Sequence, residues 1–80
     1  MERQEIIAKL THVVSNVFQI ENLVLNEDMS AETVEQWTSL SFMTLLTEVE
    51  NQFGFKFKMM EVLKLKTMGD IIAAIERHKA

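Results

Sequence analysis

EQWTSLSFMTLLTEVENQFG, residues 35–54, is the segment whose reading decides the fold. Phe42, Leu45, Leu46, Val49 and Phe53 recur at helical spacing, with Ser41, Thr44, Glu48 and Asn51 between them, which predicts an amphipathic helix. Thr38 stands at the N-cap of that helix. Trp37 then falls at N′ and Phe42 at N4, the two positions of a hydrophobic staple that fixes how a chain enters a helix. Gly54 stands where a left-handed C-terminal residue is wanted. Ser39 lies in the first turn.

Upstream, Ile6, Leu10, Val13 and Val17, flanked by Ile7 and Val14, mark a first helix of about four turns, with Glu5, Lys9, His12 and Asn16 on its opposite side. Residues 20–37 break the period, mixing the anchors Leu23, Leu25, Met29 and Val34 with Asn, Glu, Asp and Ser. So long a connection is uncommon in a compact domain unless it is organised or functional, so we expect it to be pinned to the core, with a helical turn starting near Ser30. Downstream, Phe55, Lys56, Phe57 and Lys58 alternate with period two, but no second strand exists to pair with them. They read as an extended link that points two rings inward, followed by a short helical turn around Met59 to Leu63. Thr67 and Asp70 form a Thr-x-x-Asp start signal for a last helix with Met68, Ile71, Ile72 and Ile75 on its apolar side. Arg77, His78 and Lys79 complement the dipole at its end. The expected fold is all-α, a bundle of three main helices plus a short third one, with a long first loop, in a single domain spanning residues 1–80.

The composition fits one small soluble domain. The 80 residues are 48% hydrophobic, with no cysteine, no proline and two glycines. Neither disulfides nor thiolate metal sites can staple such a chain, which favours an intracellular setting. Charged residues near the start and the lack of an apolar segment with a cleavage site give no sign of a secretory signal. No run approaches the roughly 18 apolar residues of a membrane span. The expected location is the cytoplasm. Monomer is the expected state, since no spare apolar stripe is evident.

Net charge is −4, and no Lys or Arg occurs between Lys9 and Lys56, whereas Glu21, Glu27, Asp28, Glu32, Glu35, Glu48 and Glu50 all do. This sets aside nucleic acid as a partner, because binding it needs a contiguous positive face. An acidic middle suits a basic protein partner, or simply keeps a small protein in solution. Catalytic constellations are absent. His12 and His78 have no Asp or Glu at a spacing that suggests an orienting partner and read as isolated surface residues. No HxxxH or clustered ligand set suggests a metal. Two glycines cannot make a phosphate-binding loop. An enzyme in its own right is not expected.

Ser39 is what remains. The first-turn amides of a helix point outward unsatisfied and its dipole favours negative charge, so a serine there could carry a phosphodiester. Serine is also common at helix starts for capping alone, which leaves the position open by itself.

The segment from Glu35 to Phe53 resembles the second-helix region of acyl carrier proteins, whose hallmark is Asp-Ser-Leu followed by an amphipathic helix ending in Glu and Phe. Ser39 and Leu40 stand at the Ser and Leu positions and Glu50 and Phe53 at the helix end. Thr67 and Ile75 fall where the family's last helix begins and packs, and no gap is needed between Ser39 and Ile75. The resemblance implies an acyl-carrier-like four-helix bundle in which a phosphopantetheinyl transferase esterifies Ser39 with phosphopantetheine from coenzyme A. The arm's thiol would hold acyl or aminoacyl groups as thioesters and present them to loading and transfer enzymes. This would account for a chain with no thiol of its own. Carried over by position, Leu40 and Met43 would be apolar contacts beside the arm. Ser41, Thr44 and Thr47 would be exposed positions that partners touch, with Thr38 and Met59 beside them.

Three departures from the family pattern stand out. Thr38 replaces the Asp before the serine, keeping the capping ability but losing a charge. Ser41, Thr44 and Thr47 are neutral, and Lys56 and Lys58 basic, where fatty-acid synthesis carriers are densely acidic. Met59, Met60 and Leu63 replace acids on the short third helix. Together they suggest a specialised carrier, of the kind used in secondary-metabolite, cell-envelope or D-alanyl transfer pathways, more than the general carrier of fatty-acid biosynthesis. The alternative is an unmodified interaction module that kept the fold.

Overall fold

A computed structural model describes residues 1–80 and contains four helices: α1 (Arg3–Phe18), α2 (Ser39–Phe53), α3 (Met59–Val62) and α4 (Met68–His78). This is the expected order, and residues 55–58 run as an extended link without a strand partner. The single β-type pairing is an isolated antiparallel bridge between Ser30 and Thr67.

α2 is bounded as its sequence indicates. Thr38 caps it, and Gly54 closes it at φ 75°, with its N–H donating to the Glu50 carbonyl at 2.9 Å. A Cβ added at Gly54 would meet nothing within 4 Å, so the only obstacle to a side chain there is the left-handed backbone. Gly54→Ala should therefore lower stability by about 1–2 kcal/mol. A lower urea midpoint with an unchanged m value checks this.

One cluster of 16 buried side chains forms the core. α1 supplies Ile6, Leu10, Val13, Val14 and Phe18, α2 supplies Leu45, Leu46, Val49 and Phe53, and α4 supplies Met68, Ile71, Ile72, Ala74 and Ile75. Trp37 and Leu65 complete it from outside the helices. The apolar side of α1 is thus rotated from the expected stripe. Val14 and Phe18 are buried and Val17 only half-buried, because the connection and α2 both pack on this helix. Lys9 is half-buried rather than on a free polar face, and its ammonium lies 5.1 Å from the centroid of the Phe53 ring.

The long connection is pinned at its C-terminal end and near its middle. Trp37 packs its ring 5.8 Å from Phe18 and 5.8 Å from Phe42, stacked on the latter at 18°, so the staple expected at N′ and N4 is formed. Near its middle, the Glu27 and Met29 carbonyls accept from the Gly69 and Met68 N–H groups at 2.9 and 2.8 Å. These are first-turn amides of α4 that have no partner within their own helix. Gly69 permits the approach, since a Cβ there would lie 3.3 Å from the Glu27 backbone oxygen. Arg3 of α1 adds an ion pair to Glu27 at 3.0 Å and another to Glu76 of α4. The turn expected near Ser30 is a single one, closed by Thr33 and Val34 N–H bonds to the Ser30 carbonyl.

His78 departs from its sequence reading. It is not isolated: its Nε2 lies 2.7 Å from Glu61 Oε1, and its ring stacks on Phe55 at 4.2 Å with Phe57 edge-on at 6.0 Å. Glu61 is 17 residues away, so no local spacing could reveal the partner; packing of α3 against the end of α4 creates the pair. His12 remains exposed on α1. The cluster around His78 matters because α3 buries none of its own residues and needs an external hold.

Two carboxylates near α3 and α4 are more acidic than usual. Burial pushes the Glu61 carboxyl up, but the Lys58 N–H, His78 and Arg77 together outweigh it and hold Glu61 below its ordinary 4.5. Asp70 is held below its ordinary 3.8, first by the Lys66 N–H, against some desolvation, then by Thr67. Both are therefore ionised more readily when folded than when unfolded. Their contribution to stability is fully present above the unfolded values, and it is lost as pH falls through the lower folded ones. Urea midpoints should fall between pH 5.5 and pH 3, and Glu61→Gln should flatten part of that slope.

Candidate functional site

Thr38 leaves the connection with extended backbone, φ −112° and ψ 174°, and its Oγ1 accepts the Ser41 N–H at 3.1 Å. Ser41 Oγ answers by accepting the Thr38 N–H at 2.8 Å and donates to the Gln36 carbonyl at 2.7 Å. The result is a reciprocal cap in which threonine does the work that an aspartate would do, without its charge. It also corrects the expectation for Ser41. That residue is half-buried and its hydroxyl is committed inside the cap, so it holds the start of α2 rather than standing free for a partner.

Ser39, the first residue of α2, is exposed, and its hydroxyl makes no hydrogen bond. The N–H groups of Ser39 and Leu40 also have no acceptor, since the cap takes the Thr38 and Ser41 amides and the Phe42 amide returns to the Thr38 carbonyl. No acidic residue occupies the first turn. A free hydroxyl thus stands beside two free donors at the positive end of a 15-residue helix. This arrangement fits a phosphate ester on Ser39, whose charge the amides and the dipole would meet.

The surface that runs from Ser39 along α2 is more apolar than its composition suggests. Leu40 is 79% exposed and Met43 56%. Thr44 and Thr47 are exposed, but each donates its hydroxyl to the carbonyl four residues back, at 3.1 Å, which leaves the hydroxyl proton committed within the helix. Met59, at 80% exposed, with Met60 and Leu63, extends this character onto the α3 segment. These methionines face solvent, where thioethers adapt readily to a binding partner.

Two cavities border this surface. One, of about 260 Å³, lies between α2 and α3 and is lined by Met43, Leu46, Phe57, Met59 and Val62, with Thr47 and Glu50 at its polar side. Glu50 also accepts the Phe57 N–H at 2.8 Å, which ties the extended link to α2. The other, an open groove of about 410 Å³, includes Ser39 itself, with Ala31, Trp37, Thr38, Phe42, Leu65 and Lys66. Leu65 and Lys66 escaped the sequence reading. They lie 26 and 27 residues from Ser39, beyond any helical or strand period.

Comparison with known proteins shows the family. A family model described as a phosphopantetheine attachment site matches residues 5–75. An acyl carrier protein of Rhodococcus erythropolis is 32% identical over 78 residues, which cover 98% of this chain and 86% of that one. A meromycolate extension acyl carrier protein of Mycolicibacterium aurum is 29% identical, with 94% and 77% covered. The solution structure of a holo acyl carrier protein from Geobacter metallireducens superimposes with a TM-score of 0.82 at 32% identity, covering 89% of this chain and 82% of that one. The free serine at the start of α2, the bundle that presents it and these relatives lead to one conclusion: the chain belongs to the acyl carrier protein family, carriers with a covalently attached phosphopantetheine.

Proposed function

We propose that Ser39 is the attachment residue and that this single domain, 1–80, is a cytoplasmic, monomeric acyl or aminoacyl carrier rather than a catalyst. The observation that carries this reading is the free Ser39 hydroxyl beside the unpaired Ser39 and Leu40 amides. In the transfer, the Ser39 oxygen bonds to the phosphorus that bears the pantetheine portion of coenzyme A. The bond from that phosphorus to the adenosine bisphosphate breaks, and the serine proton passes to a base of the transferase. Once in place, the arm supplies a thiol on which cargo is held as a thioester. The chain's own residues keep the attachment point fixed through the Thr38–Ser41 cap and offer Leu40, Met43, Thr44, Thr47 and Met59 to partner enzymes.

The neutral, methyl-rich face of α2 and α3 supports a specialised pathway over the housekeeping fatty-acid one. Fewer acids on the face mean weaker attraction to basic partners. Holo-protein offered to a fatty-acid synthase ketosynthase or malonyl transferase should be used less efficiently than that system's own carrier; equal efficiency overturns the specialisation.

Intact mass before and after incubation with coenzyme A, magnesium and a broad-specificity phosphopantetheinyl transferase tests the attachment. Gain of one phosphopantetheine is expected. No gain with several transferases would favour the rival reading, in which the same face serves protein contacts only and Ser39 keeps a free hydroxyl.

A further inference from the structure

Ser39 does not open onto the cavity between α2 and α3. It lines the other groove, where the start of α2 faces Ala31 of the connection and the link that precedes α4. The sides of that groove are unlike. Trp37, Phe42 and Leu65 give it an apolar floor, and Lys66 is its only charged residue. Lys66 is exposed and enters no ion pair. The carboxylate nearest to it in sequence, Asp70, spends its Oδ2 on the Lys66 and Thr67 N–H groups at 2.9 and 3.0 Å. The Lys66 ammonium is therefore free to meet an anion. The α2–α3 cavity, by contrast, carries Glu50 and no cation.

We infer that this groove is a resting seat for the first half of the prosthetic arm, a phosphodiester followed by a branched, dimethyl-bearing segment. The inference rests on the reading of Ser39 as the attachment residue. An arm tethered at Ser39 begins in the groove. Its phosphodiester meets the free α2 amides on one side and Lys66 on the other, and the two methyl groups next to the phosphate lie on Trp37 and Leu65. The volume of about 410 Å³ falls within the range of roughly 300–1,000 Å³ usual for small-ligand sites. Seating the anionic half there orients the thiol-bearing half along the surface and leaves the α2–α3 face open to partner enzymes.

The test uses ¹³C-labelled protein loaded to completion with an unlabelled arm, with loading verified by intact mass and contacts read as isotope-filtered NOEs. Contacts are expected from the arm's geminal methyls to the Leu65 methyls and the Trp37 indole. Leu65 is the informative partner, because it is remote from Ser39 in sequence and cannot respond merely as a covalent neighbour. Lys66→Glu puts repulsion where attraction stood, and should weaken these NOEs severalfold without changing the melting temperature of the apo-protein. Full loading with no NOE to Leu65, or with NOEs to Met59 and Val62 instead, overturns the seat and leaves the attachment intact. Unchanged NOEs in Lys66→Glu overturn the phosphate contact, and failure to load wild-type protein overturns the attachment and the seat together.

Discussion

Ser39→Ala abolishes the gain of phosphopantetheine completely and leaves folding stability within about 0.5 kcal/mol of wild type. Both halves of this expected result follow from the site. The Ser39 hydroxyl is exposed and bonded to nothing, so its removal breaks no contact and opens no cavity. The cap that starts α2 belongs to Thr38 and Ser41 and survives the change. On the proposed reading of Ser39 as the attachment residue, the same oxygen carries the ester, so the alanine variant has nothing to which the arm can be joined. Intact mass with coenzyme A and transferase, beside a thermal melt of the apo-protein, reads both. Modification of the alanine variant would move the attachment elsewhere, and a collapse in stability would mean that the hydroxyl has a structural task the geometry does not show. Thr38→Ala should behave oppositely, losing about 1 kcal/mol with the cap while keeping Ser39 available.

Trp37→Ala should have the largest effect on stability, about 3–5 kcal/mol. Trp37 is 7% exposed and packs between Phe18 at the end of α1 and Phe42 in the first turns of α2. Its loss leaves a void that two rings cannot fill without moving either helix. A core of this size supplies only about 3–5 kcal/mol in all, so the variant should be largely unfolded at 25 °C. Helical circular dichroism and a urea titration check this, with Trp37→Phe expected to recover most of the loss. A stable, cooperatively unfolding Trp37→Ala protein would show that the staple is dispensable and that the core alone positions Ser39. Because Trp37 is the only tryptophan, the wild-type unfolding can be followed by its fluorescence.

The signals that define α2 and its flanks are legible in the sequence because they are local. Trp37, Thr38, Phe42 and Gly54 lie within one helix and its flanks, and each acts on backbone no more than about one turn away. Thr67 and Asp70 announce α4 in the same manner, and their cap is formed, with the Thr67 side chain accepting the Asp70 N–H at 3.2 Å. Elsewhere a contact from outside the helix intervenes. The periodicity of α1 alone puts Lys9 on a polar face, but its ammonium lies over the ring of Phe53 in α2. The offset of Ser41 from Ser39 places it among exposed contact positions, yet the Gln36 carbonyl takes its proton and holds it in the cap.

The sequence by itself determined the helices, the caps of α2 and α4, the serine in the first turn of α2 and the family resemblance, because periodicity and capping operate over three or four residues. Only the tertiary structure decided how the segments are held together and which residues surround that serine. The Glu61–His78 pair, the carbonyls of Glu27 and Met29 on the first turn of α4, and the groove that joins Ser39 to Leu65 and Lys66 all unite residues 17 to 42 positions apart. Burying one shared core brings such segments together, and no local pattern encodes the resulting neighbours.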